Sequence, residues 1–516
     1  MLIWGLGGAA ALLVLLAVYD LTQRKHAILR NFPVVGRARY LIEGLGPGLR
    51  QYVVARNDEE RPFSRDQRRW VYSTAKKQNE YFGFGTDNDL ERTSNYIVVR
   101  QATFPLADLH AGDPGYDPLH RLPCAKVLGQ ARGRRLAFRP ASIVNVSAMS
   151  YGSLSARAVE AINRGCALAG CLHNTGEGGV SPYHQHGGDL IWQLGTGYFG
   201  ARDEHGLSIA RLVDQAAAAR VLAIEIKLSQ GAKPGLGGLL PAAKVTAEIA
   251  RIRGIPQGEA CFSPAAHSAF RDVDSMLDRV EEIAERTGLP VGIKSAVGEL
   301  EFWTELADRM AADPGRGVDY IQVDGGEGGT GAAPLAFSDH VALPFKLGFA
   351  RVYRIFAERG LSDRVVFAGS GKLGFPETGL LAMSLGCDLL LVAREAMLAI
   401  GCIQAQECHT GHCPTGVATQ NRWLMRGLDP TDKAARLANY VVALRKELAR
   451  LSRACGVVHP AFLPAERLEI LDDRYGARTA ADVFGYERGW GVPGAEPLEG
   501  LRAALGALPE AEPLRA

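Results

Sequence analysis

The sequence predicts an α/β fold, a (β/α)8 TIM-type barrel, on three observations. Short β-branched runs alternate with helical stretches from about residue 140 onward, the pattern of parallel strands joined by crossover helices. Several of these runs pass directly into polar, glycine-rich loops, and a barrel builds its active site from the loops at the C-terminal ends of its strands. The length of 516 residues suits one barrel with extensions at both ends. Seven strand candidates are found and the eighth has no clear place, so a doubly wound sheet is the competing architecture.

The strand candidates are Ile143–Ser147, Val221–Leu228, Val291–Ser295, Tyr320–Asp324, Val365–Ala368 and Leu389–Ala393, with a less regular one around Leu168–His173. Helices are expected at Ser155–Leu168, Ser275–Thr287, Glu301–Ala312 and Pro376–Leu385, and a charged helical tail runs from Arg422 to about Ala454. Hydrophobic residues make up 47% and the formal charge is +2, an enzyme-like balance with no basic excess for nucleic acid. The nine cysteines are odd in number and do not form a disulfide framework, which points to a reducing compartment.

Leu2 to Tyr19 carries no charge, near the lower length limit of a membrane-spanning helix. Basic residues follow it at Arg24, Lys25, Arg30, Arg37 and Arg39, and Ala17-Val18-Tyr19 is a poor cleavage site. The expected organisation is a transmembrane anchor over 1–22, with the catalytic part held in the cytoplasm by the positive-inside rule. An apolar helix packed on the protein or on a partner is the alternative. A charged and aromatic juxtamembrane extension over 23–139, including Gln78-Asn79-Glu80-Tyr81-Phe82-Gly83, leads to the barrel at 140–425. A helical C-terminal extension takes up 426–516.

The loops carry the chemistry. Ser147-Ala148-Met149-Ser150 opens the first, and its small residues let a flat ligand lie against the backbone. Asn174-Thr175-Gly176-Glu177-Gly178-Gly179 forms the second. Lys227 shares a strand face with Glu225 by the period of two, and Gln230 and Lys233 follow; such a cationic cluster suits an acidic substrate, against the bland reading of a solvated charge pair. Lys294 ends its strand where an ammonium can face the mouth. Asp324-Gly325-Gly326-Glu327-Gly328-Gly329-Thr330-Gly331 contains a G-x-G-x-x-G, but Ala332-Ala333-Pro334 follows and no βαβ unit opens there, so a dinucleotide site is rejected. Gly369-Ser370-Gly371 and Arg394 follow consecutive late strands, where barrels commonly cradle a phosphate; ordinary tight turns are the alternative. Finally, Cys402, Cys408 and Cys413 lie within twelve residues, with Pro414 after the last. Thiolates in such a run suit an iron–sulfur cluster, three-iron for want of a fourth cysteine nearby. A structural zinc completed by His409 or His412 fits the spacing too.

Together these loops resemble the FMN-binding domain of glutamate synthase, and more closely its stand-alone relatives. The motifs are Met149-Ser150-Tyr151-Gly152-Ser153-Leu154-Ser155, Asn174 to Gly179, Gln230-Gly231-Ala232-Lys233-Pro234-Gly235, Gly328-Gly329-Thr330-Gly331-Ala332 and the cysteine run ending Cys413-Pro414-Thr415-Gly416-Val417-Ala418-Thr419-Gln420. The resemblance implies FMN and a [3Fe-4S] cluster. It places Cys402, Cys408 and Cys413 on the cluster. The flavin falls to Ser147, Ala148, Met149, Ser150, Asn174, Lys294, Asp324, Gly325, Gly326, Gly369, Ser370, Gly371 and Arg394, and the substrate side to Lys227, Lys233, Glu177 and Gln230. The implied reaction is reductive amination of 2-oxoglutarate or a related keto acid by ammonia or another amine, with electrons from a donor protein or reductase subunit.

Three departures bear on this expectation. No amidotransferase pattern precedes the barrel motifs, so glutamine hydrolysis is not expected on this chain. Tyr198 stands where the family suggests arginine, which weakens the case for a dicarboxylate. Ser181-Pro182-Tyr183-His184-Gln185-His186 adds an aromatic and two histidines near the mouth, to reshape the pocket or to decorate a loop. The rival readings are a same-fold flavin oxidoreductase acting on another keto or imino acid or an N-alkyl amino acid, and a membrane-tethered flavin and iron–sulfur electron-transfer protein.

Overall fold

Eight parallel strands close on themselves. The computed structural model describes residues 2–23, 25–78, 81, 83–91 and 93–506. Arg24, Asn79, Glu80 and Phe82, named above, lie outside them, as does the end of the expected C-terminal extension beyond 506. The chain divides into two compact units, one up to Arg69 and one from Trp70 onward.

In the first unit the apolar helix Leu2–Thr22 is long and apolar enough to cross a membrane. The short helix Ala27–Asn31, the helix Gly36–Leu49 and a π-helical turn Arg50–Val54 follow. Asp20, in the last turn of the first helix, is completely buried. Its carboxylate accepts from Arg37 Nε at 3.0 Å, Arg37 Nη2 at 2.6 Å and the Val34 amide at 2.9 Å.

In the second unit the barrel strands are β1 (Val144–Val146), β2 (His173–Asn174), β3 (Leu190–Leu194), β4 (Val221–Lys227), β5 (Val291–Ser295), β6 (Tyr320–Asp324), β7 (Val366–Ser370) and β8 (Leu389–Val392). Each pairs in parallel with the next, and β8 pairs with β1. The closure excludes the doubly wound sheet. Two points differ from the sequence reading. Leu168 and Ala169 belong to the helix Ala156–Ala169, which ends at Gly170 with φ +64°, so only His173 and Asn174 remain extended. The eighth strand is β3, all five of whose residues are buried; a short buried run gives no alternation to distinguish strand from helix.

The outer helices begin where polar side chains cap them. Ser155 accepts from the Ala158 amide, and Asp272 forms a capping box with Ser275 at the start of Val273–Thr287. The helix Pro430–Ala454, expected as a tail, packs against Ala156–Ala169 and Pro376–Ser384 and so belongs to the barrel's outer ring. Buried Arg445 donates from it to the Ala169 carbonyl at 2.9 Å. The connection from β8 to this helix holds the cysteine run, which is thereby an elaborated βα loop on the side where barrels place their sites.

Strand alternation sorts the interior into levels. At one end Leu172, Ile191, Ala223, Tyr320, Val366, Ala368, Leu389 and Leu391 form an apolar floor, closed from below by Cys124 and Leu128. The next inward residues toward the strands' C-terminal ends are polar, among them Asn174, Gln193, Glu225, Lys227, Gln322, Asp324 and Ser370. The dry end gives the barrel its core, and the polar end is its mouth.

Candidate active site at the barrel mouth

Glu225 lies deepest. One carboxylate oxygen, Oε1, accepts from Asn174 Nδ2 at 2.8 Å and Gln193 Nε2 at 2.6 Å, while the buried Oε2 has no partner among the described residues. Burial pushes its pKa up, opposed by nearby Lys294. Across the barrel, Gln322 donates from Nε2 to Ser370 Oγ at 3.0 Å and to Ser147 Oγ at 3.4 Å, and its buried Oε1 is likewise unpartnered among the described residues. Asp324 accepts from Ser370 Oγ and, at 2.9 Å, from the Gly231 amide, while Lys294 Nζ stands 3.5 Å from Asp324 Oδ2. Two buried oxygens at the mouth are thus left for a donor that the described residues do not supply.

Above this level Lys227 Nζ sits between two acceptors, Glu177 Oε2 at 3.0 Å and Gln230 Oε1 at 2.7 Å. Burial alone would raise the Glu177 pKa; the charges of Lys227, Lys233 and Arg253 outweigh it and hold the carboxylate below its usual range. Lys233 donates to the Gly237 carbonyl at 3.2 Å, and burial lowers its pKa. The four predicted substrate residues are thus gathered from the loops after β2 and β4.

The loops after β4 and β6 touch. A Cβ on Gly231 would stand 1.8 Å from the Gly325 carbonyl oxygen, so no other residue fits there. Gly325 and Gly326 donate to the carbonyls of Ser370 and Leu343, both at 2.8 Å, and fix the loop against its neighbours. Gly369 is constrained from the other side: its Cβ would meet the Phe345 ring at 2.6 Å. Its smallness therefore serves packing on the outer face of β7. Arg394, after β8, donates to the Glu327 carbonyl, and its side chain runs 2.5 Å from where a Gly329 Cβ would lie.

Sequence reasoning missed Gln193, Gln322, Arg253 and His267. Gln322 is polar at an inward position of an otherwise apolar strand, a signal that period-two counting from Asp324 would have found; Gln193 sits on β3, whose complete burial hides its alternation. Arg253 comes from the helix Ala247–Arg253, which no local motif marks; it is buried, donates to the Tyr151 carbonyl at 3.1 Å and lies over the Phe199 ring. His267 Nε2 is 2.9 Å from the Lys227 carbonyl, which only accepts, so this nitrogen carries the proton and Nδ1 accepts from the Tyr198 hydroxyl at 2.9 Å. Burial lowers the His267 pKa. Tyr198 and His267 therefore bring a neutral pair to the place where the resemblance suggested arginine. The two histidines of the 181–186 segment do not form a cluster at the mouth. His184 is buried with its ring 5.2 Å from that of His173, and the neighbouring Tyr183 joins Tyr151 in donating to Glu248.

The cysteine loop packs beside the loop after β1. Ser155 donates its amide to the Val417 carbonyl at 2.9 Å, and Gln420 Nε2 donates to the carbonyls of Gly152 and Leu154 at 3.2 and 2.9 Å. Tyr72 donates to the Cys402 carbonyl at 2.8 Å. Buried Lys244 donates to the Cys408 carbonyl at 2.7 Å and the Ser153 carbonyl at 3.3 Å, joining the two loops. Among the described residues it has no carboxylate partner, and the negative charge within its reach would come from Cys408 and Cys413. Burial pushes the Cys402 thiol up to about 12, so any metal bound there would have to displace its proton. Among the described residues no three His, Cys, Asp or Glu side chains converge on a point as a single ion requires.

A family described as a conserved region in glutamate synthase matches residues 134–458. This chain belongs to the glutamate synthase family. It is 37% identical over 482 residues to the glutamate synthase large subunit-like protein YerD of Bacillus subtilis, covering 87% of this chain and 91% of that one. It is 34% identical over 318 residues to the archaeal glutamate synthase [NADPH] of Methanocaldococcus jannaschii, covering 61% of this chain and 59% of the relative. The archaeal-type glutamate synthase [NADPH] of Thermotoga maritima is also 34% identical, with 61% and 59% covered. The family match begins ten residues before the first barrel strand and runs past the helix Pro430–Ala454, so it takes in the whole barrel and the cysteine loop.

Proposed function

We propose that the chain is a glutamate synthase-like oxidoreductase that aminates 2-oxoglutarate or a related 2-oxo acid reductively with ammonia or another amine, and that its mouth holds FMN. The observation that carries this reading is the Lys227, Glu177 and Gln230 cluster standing over the unmatched oxygens of Glu225 and Gln322. The donor set fits a flavin: Gln322 Oε1 is an acceptor for a ring N–H, and Lys294 is a cation for the carbonyl side of the ring. Ser147, Ala148, Met149, Ser150, Asn174 and the Asp324–Gly326 turn would complete the seat. Gly371 and Arg394, on the loops after β7 and β8, would hold the phosphate beside Ser370. FMN, when bound, supplies the hydride.

The chain's own residues do the rest. The Lys227 ammonium, oriented by Glu177 and Gln230, hydrogen-bonds the keto oxygen and stabilises the charge that develops as the amine adds. Glu177, kept ionised by its three cations, would accept the proton that the amine releases on adding and return it to the former keto oxygen, which leaves as water to give the imine that the hydride reduces. Lys233 and Arg253 add positive charge for a substrate carboxylate. Tyr198 and His267, being neutral, favour a second reading in which the acid lacks a second carboxylate.

For the cysteine loop, Cys402, Cys408 and Cys413 would hold a [3Fe-4S] cluster. A cluster of several irons spreads its ligands apart, and the thiolate charge would offset the buried Lys244 ammonium. It would pass electrons from a donor protein or reductase subunit. The helix Leu2–Thr22 would anchor the chain; of the expected 23–139 extension, the part up to Arg69 would be juxtamembrane, while from Trp70 it belongs to the barrel's own unit, with the barrel at 140–425 in the cytoplasm and 426–516 completing it. The test supplies chemically reduced viologen, ammonium or a panel of primary alkylamines, and a panel of 2-oxo acids to the purified protein. Glutamate formed from 2-oxoglutarate supports the first reading, amination of a monocarboxylic oxo acid alone supports the second, and no amination of any acid rejects both.

A further inference from the structure

We propose that the helix Gly36–Leu49 and the turn Arg50–Val54 form an interfacial platform that lies in the lipid headgroup region, a second membrane contact beside the anchoring helix. The inference rests on the reading of Leu2–Thr22 as an anchor and extends it. Leu41, Ile42, Leu45 and Leu49 recur at spacings that put them on one helical face, and Val53 and Val54 continue the apolar surface. All six are exposed, from 50% for Leu49 to 71% for Val54. Arg39 and Glu43 pair at 2.7 Å on another face of the same helix. A contiguous apolar row with a charged face elsewhere is the composition of a helix that lies in a membrane interface.

The tie at Asp20 decides which apolar medium covers this row. Arg37, the second residue of the platform helix, grips the Asp20 carboxylate through Nε and Nη2, and the Val34 amide donates to it as well. The platform therefore begins at the C-terminal end of the apolar helix, where a spanning helix reaches the headgroups. Lys25 and Arg30 lie on the connection between the two, where basic side chains meet anionic lipid. A helix fixed to the end of an anchor is placed at the bilayer surface whenever the anchor is inserted, so the occupant is lipid.

The test reconstitutes the full chain in phosphatidylcholine–phosphatidylglycerol vesicles carrying an acyl-chain carbene photolabel, and maps the adducts by mass spectrometry. The expected result is label on residues 41–54 as well as on 2–22, and none on the barrel. The double variant Leu41→Glu, Leu45→Glu should lose the label at 41–54 and keep it at 2–22. Label confined to 2–22 in the unaltered chain would overturn the platform while leaving the anchor standing. Cross-links joining the 41–54 segments of two copies, without lipid adducts there, would assign the row to a second copy and overturn it too. Label at neither segment would remove anchor and platform together.

Discussion

Lys227 Nζ stands 3.0 Å from Glu177 and 2.7 Å from Gln230 at the end of its strand, and this placement sets the first expectation. Lys227→Met should lower kcat/KM by about 10²-fold or more, in the range seen when a transition-state donor is removed, while flavin content stays unchanged. A loss of flavin in parallel would place Lys227 in the cofactor seat instead. His184 carries a different expectation. Burial holds its pKa down at about 3, as it does for His459, against an ordinary 6.5. Above pH 6.5 these rings are neutral whether or not the chain is folded. As pH falls below that, the unfolded chain takes up protons the folded one refuses, so stability drops by about 1.4 kcal/mol per pH unit for each ring until about pH 3. His184→Asn should therefore flatten the fall in thermal midpoint between pH 7 and pH 5; an unaltered slope would contradict a buried neutral imidazole.

The loops act as units, and their contacts are what the sequence conveyed least. Lys227, Gln230, Lys233 and Glu177 could be read in advance because charged and amide groups crowd the ends of apolar strands, where packing has no use for them. Arg253 and His267 could not, since they enter from the long β4–β5 connection and are placed by tertiary packing alone. The strand β3 escaped notice because burial of all five residues erases alternation. Gly369 was expected in a phosphate cradle; the constraint the fold places on it, the Phe345 ring on the far side, lies a helix away. At this scale Gly231→Ala should drive the loops after β4 and β6 apart, since its Cβ would sit 1.8 Å from the Gly325 oxygen; the expected outcome is loss of bound flavin, measured by absorbance after gel filtration. Cys408→Ser should reduce iron and sulfide to background with the far-ultraviolet circular dichroism unchanged. Retention of both elements would reject the assignment of the cysteine loop.

The whole molecule separates stability from chemistry along the barrel axis. The mouth carries its unmatched oxygens, while under the floor Lys126 Nζ pairs with Asp388 at 2.8 Å, both buried, and donates to the Ser362 and Val365 carbonyls. Removing one partner of such a pair leaves an uncompensated charge, so Lys126→Met should cost about 3–5 kcal/mol of stability without altering turnover per bound flavin. The sequence carried this architecture through its alternating texture and loop motifs; the closure by β3 and the place of Pro430–Ala454 in the outer ring required the fold. At the mouth, on the function proposed above, a flavin would meet a 2-oxo acid held by Lys227. The most direct measurement is anaerobic reoxidation of the reduced protein, followed at the flavin's visible band. On adding 2-oxoglutarate with ammonium, the yellow band should return in the unaltered chain and fail to return in Lys227→Met. A band that stays bleached with every 2-oxo acid offered, or returns equally in both proteins, would contradict it.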